Sequence, residues 1–152
     1  MSIEDKLKEL GIELQTPPSP VANYIPVQQT GNLIYLSGQG PRDEEGNFIT
    51  GKVGADISAE QAYDLSRNTA VNLISAMKSY LGSLERVEKI VKVFGMVNAT
   101  SDFTDHPKVI NGCSDFFVEV FEDKGRHARS AVGMGSLPNN MAVEIEIIVE
   151  VS

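Results

Sequence analysis

Two side chains near the C-terminus have the chemistry to bind and hydrolyse a small acid. Arg129 begins a Gly-containing segment, and Glu144 follows fifteen residues later in a stretch with carboxylates at alternate positions. A guanidinium group grips a planar carboxylate with two parallel hydrogen bonds. A glutamate held nearby can orient or deprotonate a water molecule. The pair predicts a small-molecule site that handles an acid and requires no metal.

The segment around these residues resembles the C-terminal signature of the RidA family (reactive intermediate deaminase A). The family is also called YjgF and carries an older label, endoribonuclease L-PSP. The resemblance extends upstream to about residue 20, and residues 1–20 outside it suggest a longer variant branch. It rests on Ala-Arg-Ser at 128–130, Leu-Pro at 137–138, Glu-Ile-Glu at 144–146, Ser-Gly-Gln at 37–39, Tyr24, Asp-Phe at 102–103 and Asn111.

The resemblance implies a fold, an assembly and an activity. The fold is α+β and chorismate-mutase-like, and three subunits close their sheets into a central barrel. The activity is hydrolytic deamination of enamines and imines of the 2-aminoacrylate type to 2-keto acids and ammonia, with no cofactor. The expected partners are a small carboxylate substrate and two further copies of the chain, with the sites at subunit interfaces.

The resemblance also assigns roles to individual residues. Arg129 binds the substrate carboxylate, and Glu144 holds the attacking water. Tyr24, Ser37 and Gly38 line the pocket. Asn111 contributes an amide from across the interface, although its spacing from Arg129 differs by one residue from the family pattern. The family's pocket position two residues after the arginine falls on Ala131.

Each of these residues also has a purely structural interpretation. Arg129 and Glu144 can be exposed or interface charges, Tyr24 a half-buried strand residue, and Ser37-Gly38 part of a turn. Two positions depart from the family archetype. Ala131 replaces a cysteine, which removes any thiol and leaves a larger, more apolar pocket, and His127 replaces a proline before Ala-Arg. We expect His127 to be structural or exposed.

Length, net charge and cysteine content limit the classes of protein to which this chain can belong. The chain has 152 residues, a length that predicts a single domain over 1–152. It has a formal net charge of −8 and one cysteine, Cys113. Phosphate backbones are bound by Lys and Arg, so this charge disfavours a nucleic-acid partner. Cys113 lies among the regularly spaced apolar residues of a predicted helix, so we expect it to pack in the core. No apolar stretch is long enough to span a membrane, and the single cysteine fits a cytoplasmic protein.

Hydrophobic periodicity and capping signals predict the elements. Residues 1–20 form a helix from Ser2 to Leu10 and a Pro-rich extension from Thr16 to Pro20. Long helices begin at Ser58, with Gln61 completing a capping box, and at Pro107. Six strands are expected, at 24–28, 33–37, 48–50, 89–98, about 128–137 and 142–151.

These elements predict a mixed sheet with both long helices on one face. In the last strand Val143 and the alternate residues after it should face the helices, and Glu144 should face away. If Pro138-Asn139-Asn140 forms a tight hairpin, Arg129 lies opposite Val149, roughly 17 Å from Glu144. The two could then cooperate only if Glu144 comes from a neighbouring subunit.

Two other functions stay open. The same clefts can bind a keto acid without turnover, as a non-catalytic carboxylate-binding trimer. Endoribonuclease activity is the third hypothesis, and the acidic charge disfavours it.

Overall fold

The computed structural model describes residues 1–19 and 22–152, which contain three α-helices and five strands. A mixed sheet carries the strands in the order β1-β2-β5-β3-β4, in which only β3 and β4 are parallel. The elements are α1 (Ile3–Glu9), β1 (Val27–Thr30), β2 (Leu33–Gln39), α2 (Ala59–Leu81), β3 (Val87–Asn98), α3 (His106–Phe121), β4 (Ala128–Met134) and β5 (Val143–Val151).

The helix starts follow from their caps, as the sequence predicts. The Ser2 hydroxyl accepts a hydrogen bond from the Asp5 N–H, and the Ser58 hydroxyl accepts one from the Gln61 N–H. Both caps are reciprocal capping boxes, which pair N–H groups that the helix leaves free. The third helix begins at His106, one residue before the predicted Pro107.

Both long helices pack on one face of the sheet, as expected. In β5, the residues Val143, Ile145, Ile147, Val149 and Val151 are buried against them, whereas Glu146 is exposed. The alternation follows from the pleat, which turns successive side chains to opposite faces. We call the helix-covered side the helix face and the other side the open face.

The sheet has five strands, and the prediction of six was wrong. Phe48 and Thr50 each form only an isolated bridge, to Arg42 and Met141 respectively. The Phe48 bridge closes a turn in which the Asp43 carboxylate accepts hydrogen bonds from Glu45 and Asn47 N–H groups. These local bonds compete with a ladder. Tyr24, predicted at the start of a strand, lies before β1.

The predicted hairpin between the last two strands was also wrong. The β3 strand lies between them, so Arg129 does not lie opposite Val149 in a neighbouring strand. Arg129 pairs with Val93 of β3, and Val93 pairs with Ile147 of β5. The crossover through α3 places β4 parallel to β3, as such connections favour. The chain then crosses the end of β3, where Asn98 N–H donates to the Ala142 carbonyl.

The N-terminal segment is anchored beside the helices. Leu7 is buried in the main core, and the Glu4 carboxylate bonds Lys78 and the Leu84 N–H. The predicted Pro-rich extension has no helix or strand over residues 12–19, and its last residue, Pro20, lies outside the described residues. No helix in the described part of the chain combines the length and apolar character needed to cross a membrane.

The two long helices approach closely at Gly112, where an added Cβ would overlap the Tyr63 carbonyl. Replacing glycine by alanine inside a helix normally stabilises by about 1 kcal/mol. Here we expect Gly112→Ala to lower the free energy of unfolding by about 1–3 kcal/mol, because backbone must move. Urea unfolding at fixed protein concentration measures the change.

Gly135→Ala is the matched control, because no atom of the described part of the chain lies within 4 Å of a Cβ at this exposed position. Its stability should change by less than about 0.5 kcal/mol. Equal or greater stability of Gly112→Ala would contradict the close helix contact.

Candidate functional site

The residues that the sequence singled out fall into two groups at different places on the sheet. Arg129, Asn111 and Ala131 lie where α3 covers the edge strand β4. Glu144, Gly38 and Ser37 lie around a bulge between β2 and β5. We call these groups the arginine half-site and the glutamate half-site.

In the arginine half-site, side chains of α3 hold Arg129 by one nitrogen. Its Nη1 donates to Asn111 Oδ1 at 2.8 Å and to Ser114 Oγ at 3.1 Å. Asn111 Oδ1 therefore contacts Arg129 within one chain, because β4 follows α3 directly and lies beneath it. The expectation that the Asn111 amide reaches a substrate across an interface stays a prediction.

These bonds leave the other edge of the guanidinium available. Within residues 1–19 and 22–152, Arg129 Nε and Nη2 have no hydrogen-bond acceptor and no carboxylate pairs with the side chain. The residue is only partly buried. The Nε and Nη2 donors form a planar fork that matches a carboxylate. This edge is suited to bind a small acid.

Two further positions surround Arg129. Ala131 lies on the same strand face, two residues on, and packs partly buried against the main core. The His127 ring is partly buried and stacks edge-on against Phe117, with ring centroids 6.2 Å apart. Burial lowers the pKa of His127, the Gly125 carbonyl raises it, and the Arg129 charge lowers it. His127 is thus packed and hydrogen-bonded, which agrees with the expectation that it is structural and not with the alternative that it is exposed.

In the glutamate half-site, a bulge brings Gly38 against Glu144. The pairing of β2 with β5 shifts between Leu36 and Gln39, which places the Gly38 backbone beside the Glu144 side chain. A Cβ on Gly38 would overlap the carboxylate. Bulges commonly redirect side chains next to functional sites. Glycine at 38 therefore lets Glu144 lie along the sheet surface.

Ser37 connects this bulge to the segment that carries Tyr24. Its hydroxyl donates to the Ile25 carbonyl at 2.7 Å, and its N–H donates to the Pro26 carbonyl at 2.9 Å. Ser37 thus fixes the backbone next to Tyr24, whose side chain is half exposed. Ser37 therefore holds the loop backbone in place, and Tyr24 exposes part of its ring and hydroxyl to solvent.

The Glu144 carboxyl has a raised pKa. Burial is the main cause, and the neighbouring Glu146 charge adds to it. No cation pairs with Glu144 among the described residues. A carboxylate with a raised pKa is a stronger base and suits proton transfer near neutral pH. The half-site therefore places a partly buried carboxyl with a raised pKa beside the Gly38 backbone.

The two half-sites of one chain cannot act on one small molecule. Arg129 lies on the helix face, whereas Glu144 pairs with Met96 on the open face. The register separates the two backbones by three residues along the strands and two strand spacings, roughly 14 Å. The sheet itself stands between the two side chains.

A buried asparagine supports the start of β5. The Asn98 side chain, 1% exposed, donates to the Gly51 carbonyl and to Asn140 Oδ1, and accepts from Lys52 Nζ. These bonds tie the turn before β5 to the end of β3. They hold the strand that carries Glu144 in register.

Ser114, whose hydroxyl accepts a hydrogen bond from Arg129 Nη1, was not predicted from the sequence. The signal was present, because Ser114 lies three residues after Asn111 and residues at that spacing share one helix face. Cys113, between them, is fully buried and burial raises its pKa, so it packs in the core as predicted.

Other features of the described residues do not add to this site. No group of three His, Cys, Asp or Glu side chains is arranged there to hold a metal. A cleft of about 640 Å³ lies between residues 13–18, the loop 39–46 and α2. It is lined by Glu13, Arg42 and Asn68 among others, and by neither Arg129 nor Glu144.

Comparison with known proteins gives a consistent picture. A family model described as "YjgF/chorismate mutase-like, putative endoribonuclease" matches residues 4–151. The protein TCP17 of Trypanosoma cruzi is 38% identical over 147 residues, which cover 96% of this chain and 92% of that protein. A 2-iminobutanoate/2-iminopropanoate deaminase of Dermatophagoides farinae is 32% identical over 139 residues, covering 90% and 93%.

A solved structure shares the fold over almost the whole chain. The crystal structure of a protein of unknown function from Agrobacterium tumefaciens is 41% identical and superimposes with a TM-score of 0.92. The match covers 99% of this chain and 92% of that one. The agreement therefore includes the N-terminal segment.

The contact between Gly38 and Glu144 leads to a prediction. In Gly38→Ala the new methyl group should push the carboxylate towards solvent, and the Glu144 pKa should fall towards its ordinary value because burial is relieved. The stability cost should stay below about 1 kcal/mol, because the displaced atoms end a flexible side chain. An NMR titration of the Glu144 carboxyl measures the pKa.

The same titration in Gly135→Ala serves as the control. An unchanged Glu144 pKa in Gly38→Ala would show that the carboxylate does not lie over Gly38.

Proposed function

The chain belongs to the YjgF/RidA family, with its chorismate-mutase-like α+β fold, and on that premise we propose that it hydrolyses 2-imino acids. The substrates are the imine tautomers of 2-aminoacrylate and its homologues, and the products are a 2-keto acid and ammonia. The observation that supports the proposal is the Nε–Nη2 edge of Arg129, which has the geometry to bind a carboxylate, while Asn111 and Ser114 accept hydrogen bonds from Nη1 on the other side.

The proposal includes a homo-oligomer, a trimer by family resemblance. Arg129 and Glu144 lie on opposite faces of one sheet, so a shared substrate needs the arginine half-site of one subunit and the glutamate half-site of another. The open face supports such an assembly, because it mixes carboxylates with the apolar side chains of Tyr35, Phe94 and Ile148. Tyr35 is 43% exposed in the single chain. Burying such residues favours association.

In the proposed mechanism the chain's residues orient the reactants and move one proton. Arg129 fixes the substrate carboxylate, which places the imine carbon beside the neighbouring subunit's glutamate half-site. Glu144 takes a proton from a water molecule as the water oxygen bonds to the imine carbon, and the π electron pair of the C=N bond moves to nitrogen. The Glu144 carboxyl then gives that proton to the nitrogen, which completes a neutral carbinolamine. In the second stage Glu144 moves the hydroxyl proton to the amine, the C–N bond breaks, ammonia leaves, and the carbon–oxygen double bond of the keto acid forms.

The remaining site residues complete the pocket under this proposal. Gly38 leaves room for Glu144 and offers a backbone N–H, and Tyr24 contributes its hydroxyl. Ala131 forms an apolar wall beside the carboxylate site, where the family archetype has a cysteine. The reaction uses no thiol, so the alanine is compatible with turnover.

The experiment uses a coupled reaction. A threonine dehydratase releases the imine in the presence of purified protein, and both 2-oxobutanoate and ammonia are followed. We expect the wild-type protein to accelerate their formation, with activity falling as the pH drops through the raised Glu144 pKa. Glu144→Gln should lower kcat about 100-fold or more, because the general base is lost, while 2-oxobutanoate still binds.

Arg126→Ala is the control for non-specific loss of charge, because Arg126 is exposed and, within residues 1–19 and 22–152, forms a salt bridge only with Asp123. It should behave as wild type, whereas Arg129→Ala should bind 2-oxobutanoate poorly. Tight 2-oxobutanoate binding with no acceleration would favour the carboxylate-binding alternative. If the wild-type protein neither binds the keto acid nor accelerates the reaction, the proposal fails.

A further inference from the structure

A chain of hydrogen bonds continues behind Arg129, away from its free edge. Ser114 Oγ, which accepts from Arg129 Nη1, lies 2.8 Å from His127 Nε2. The other ring nitrogen, His127 Nδ1, lies 2.6 Å from the Gly125 carbonyl oxygen. Four residues from α3, β4 and the turn between them are therefore linked in series.

Elementary chemistry gives this chain a direction. The Gly125 carbonyl can only accept, so His127 Nδ1 must carry a hydrogen. In a neutral imidazole Nε2 is then an acceptor, and the Ser114 hydroxyl must donate to it. The lowered pKa of His127 supports the neutral ring. The Ser114 hydroxyl thus donates its one hydrogen to His127 Nε2, and its oxygen lone pairs stay available to accept from Arg129 Nη1.

The direction matters for Arg129. A serine hydroxyl free to rotate can turn its hydrogen towards a guanidinium, which repels it. Because His127 fixes that hydrogen, Ser114 always presents an acceptor to Nη1. Donation to His127 also strengthens the oxygen as an acceptor, since hydrogen bonds in series polarise one another.

We propose that Ser114 and His127 are positioning residues that lock the Arg129 guanidinium, so that its Nε–Nη2 edge faces the substrate carboxylate. The proposal rests on the proposed function for its substrate, but not for its geometry. Asn111 holds the second hydrogen of Nη1. Together the two acceptors occupy both Nη1 hydrogens and stop the group from rotating about its Nε–Cζ bond.

The first test reads the geometry by NMR without any substrate. At pH 7 the ring nitrogens of His127 should show a protonated Nδ1 and an unprotonated Nε2, assigned by loss of the signals in His127→Gln. Separate Nη1 and Nη2 signals of Arg129 should be resolved in wild type and should merge in Ser114→Ala as rotation becomes faster. An Nε2–H tautomer, or unchanged Arg129 signals in Ser114→Ala, would overturn the proposal.

The second test measures affinity for 2-oxobutanoate by calorimetry. Ser114→Ala should weaken binding about fivefold, the effect of one lost hydrogen bond. In the coupled reaction KM should rise by a similar factor with kcat within about twofold, because Arg129 binds the ground state and transition state alike. Ser101→Ala, in an exposed turn, is the control and should match wild type.

Variants of His127 separate positioning from simple packing. In His127→Gln an amide oxygen can reach Ser114, so affinity should stay near wild type. His127→Leu removes the acceptor and should show the same loss as Ser114→Ala. The double variant Ser114→Ala/His127→Leu should lose no more affinity than either single variant, since all three variants interrupt the same series of hydrogen bonds. Additive losses would overturn the proposal.

The outcomes also separate this inference from the proposed function. If wild type binds no 2-oxobutanoate and accelerates no hydrolysis, the proposed function fails, and the NMR spectra alone decide on the hydrogen-bond chain. If wild type binds and turns over but Ser114→Ala keeps full affinity, the proposed function stands and the positioning role is rejected.

Discussion

The alternation of side chains along a β-strand is the constraint that decides how this molecule can work. It puts Arg129 on the helix face of the sheet and Glu144 on the open face. No rotamer change brings the two together through a hydrogen-bonded sheet. A single chain therefore carries two incomplete half-sites, each well built for one task. The proposed chemistry follows only if copies of the chain associate.

Each half-site is organised by its own local structure. In one, α3 supplies hydrogen-bond acceptors that hold an arginine, and that support comes from uncharged groups. Among the described residues no carboxylate neutralises the guanidinium, so its charge stays available to an anion. In the other, a bulge and a glycine make room for a carboxyl whose pKa burial and Glu146 raise. Under the proposed function, binding and proton transfer take place on different surfaces of the chain.

Much of the fold was accessible from the sequence because its signals are local. The N-cap signal at Ser2, the capping box at Ser58 and the alternation in β5 predicted two helix starts and one buried strand face correctly. Strand neighbours were less accessible, because pairing is decided by distant parts of the chain. The Pro138-Asn139-Asn140 segment has turn residues typical of a hairpin, yet it crosses the end of β3. Phe48–Thr50 has strand-like residues but makes only single bridges.

The candidate site shows the same division between local and distant information. Family resemblance pointed to Arg129 and Glu144, and the structure shows what surrounds them. The partnership of Asn111 with Arg129 in one chain, and the contribution of Ser114, depend on how α3 lies over β4. The contact of Gly38 with Glu144 depends on a bulge, which leaves no mark in the periodicity of β2.

The central claim is that Arg129 and Glu144 of different subunits serve one substrate, and subunit mixing tests it most directly. Arg129→Ala and Glu144→Ala proteins should each be inactive. Unfolded together in equal amounts and refolded, they should regain about a quarter of the wild-type activity, because in a random ring that fraction of interfaces joins an intact arginine to an intact glutamate. A refolded mixture as inactive as its parents, beside wild type that regains activity by the same procedure, would contradict the claim.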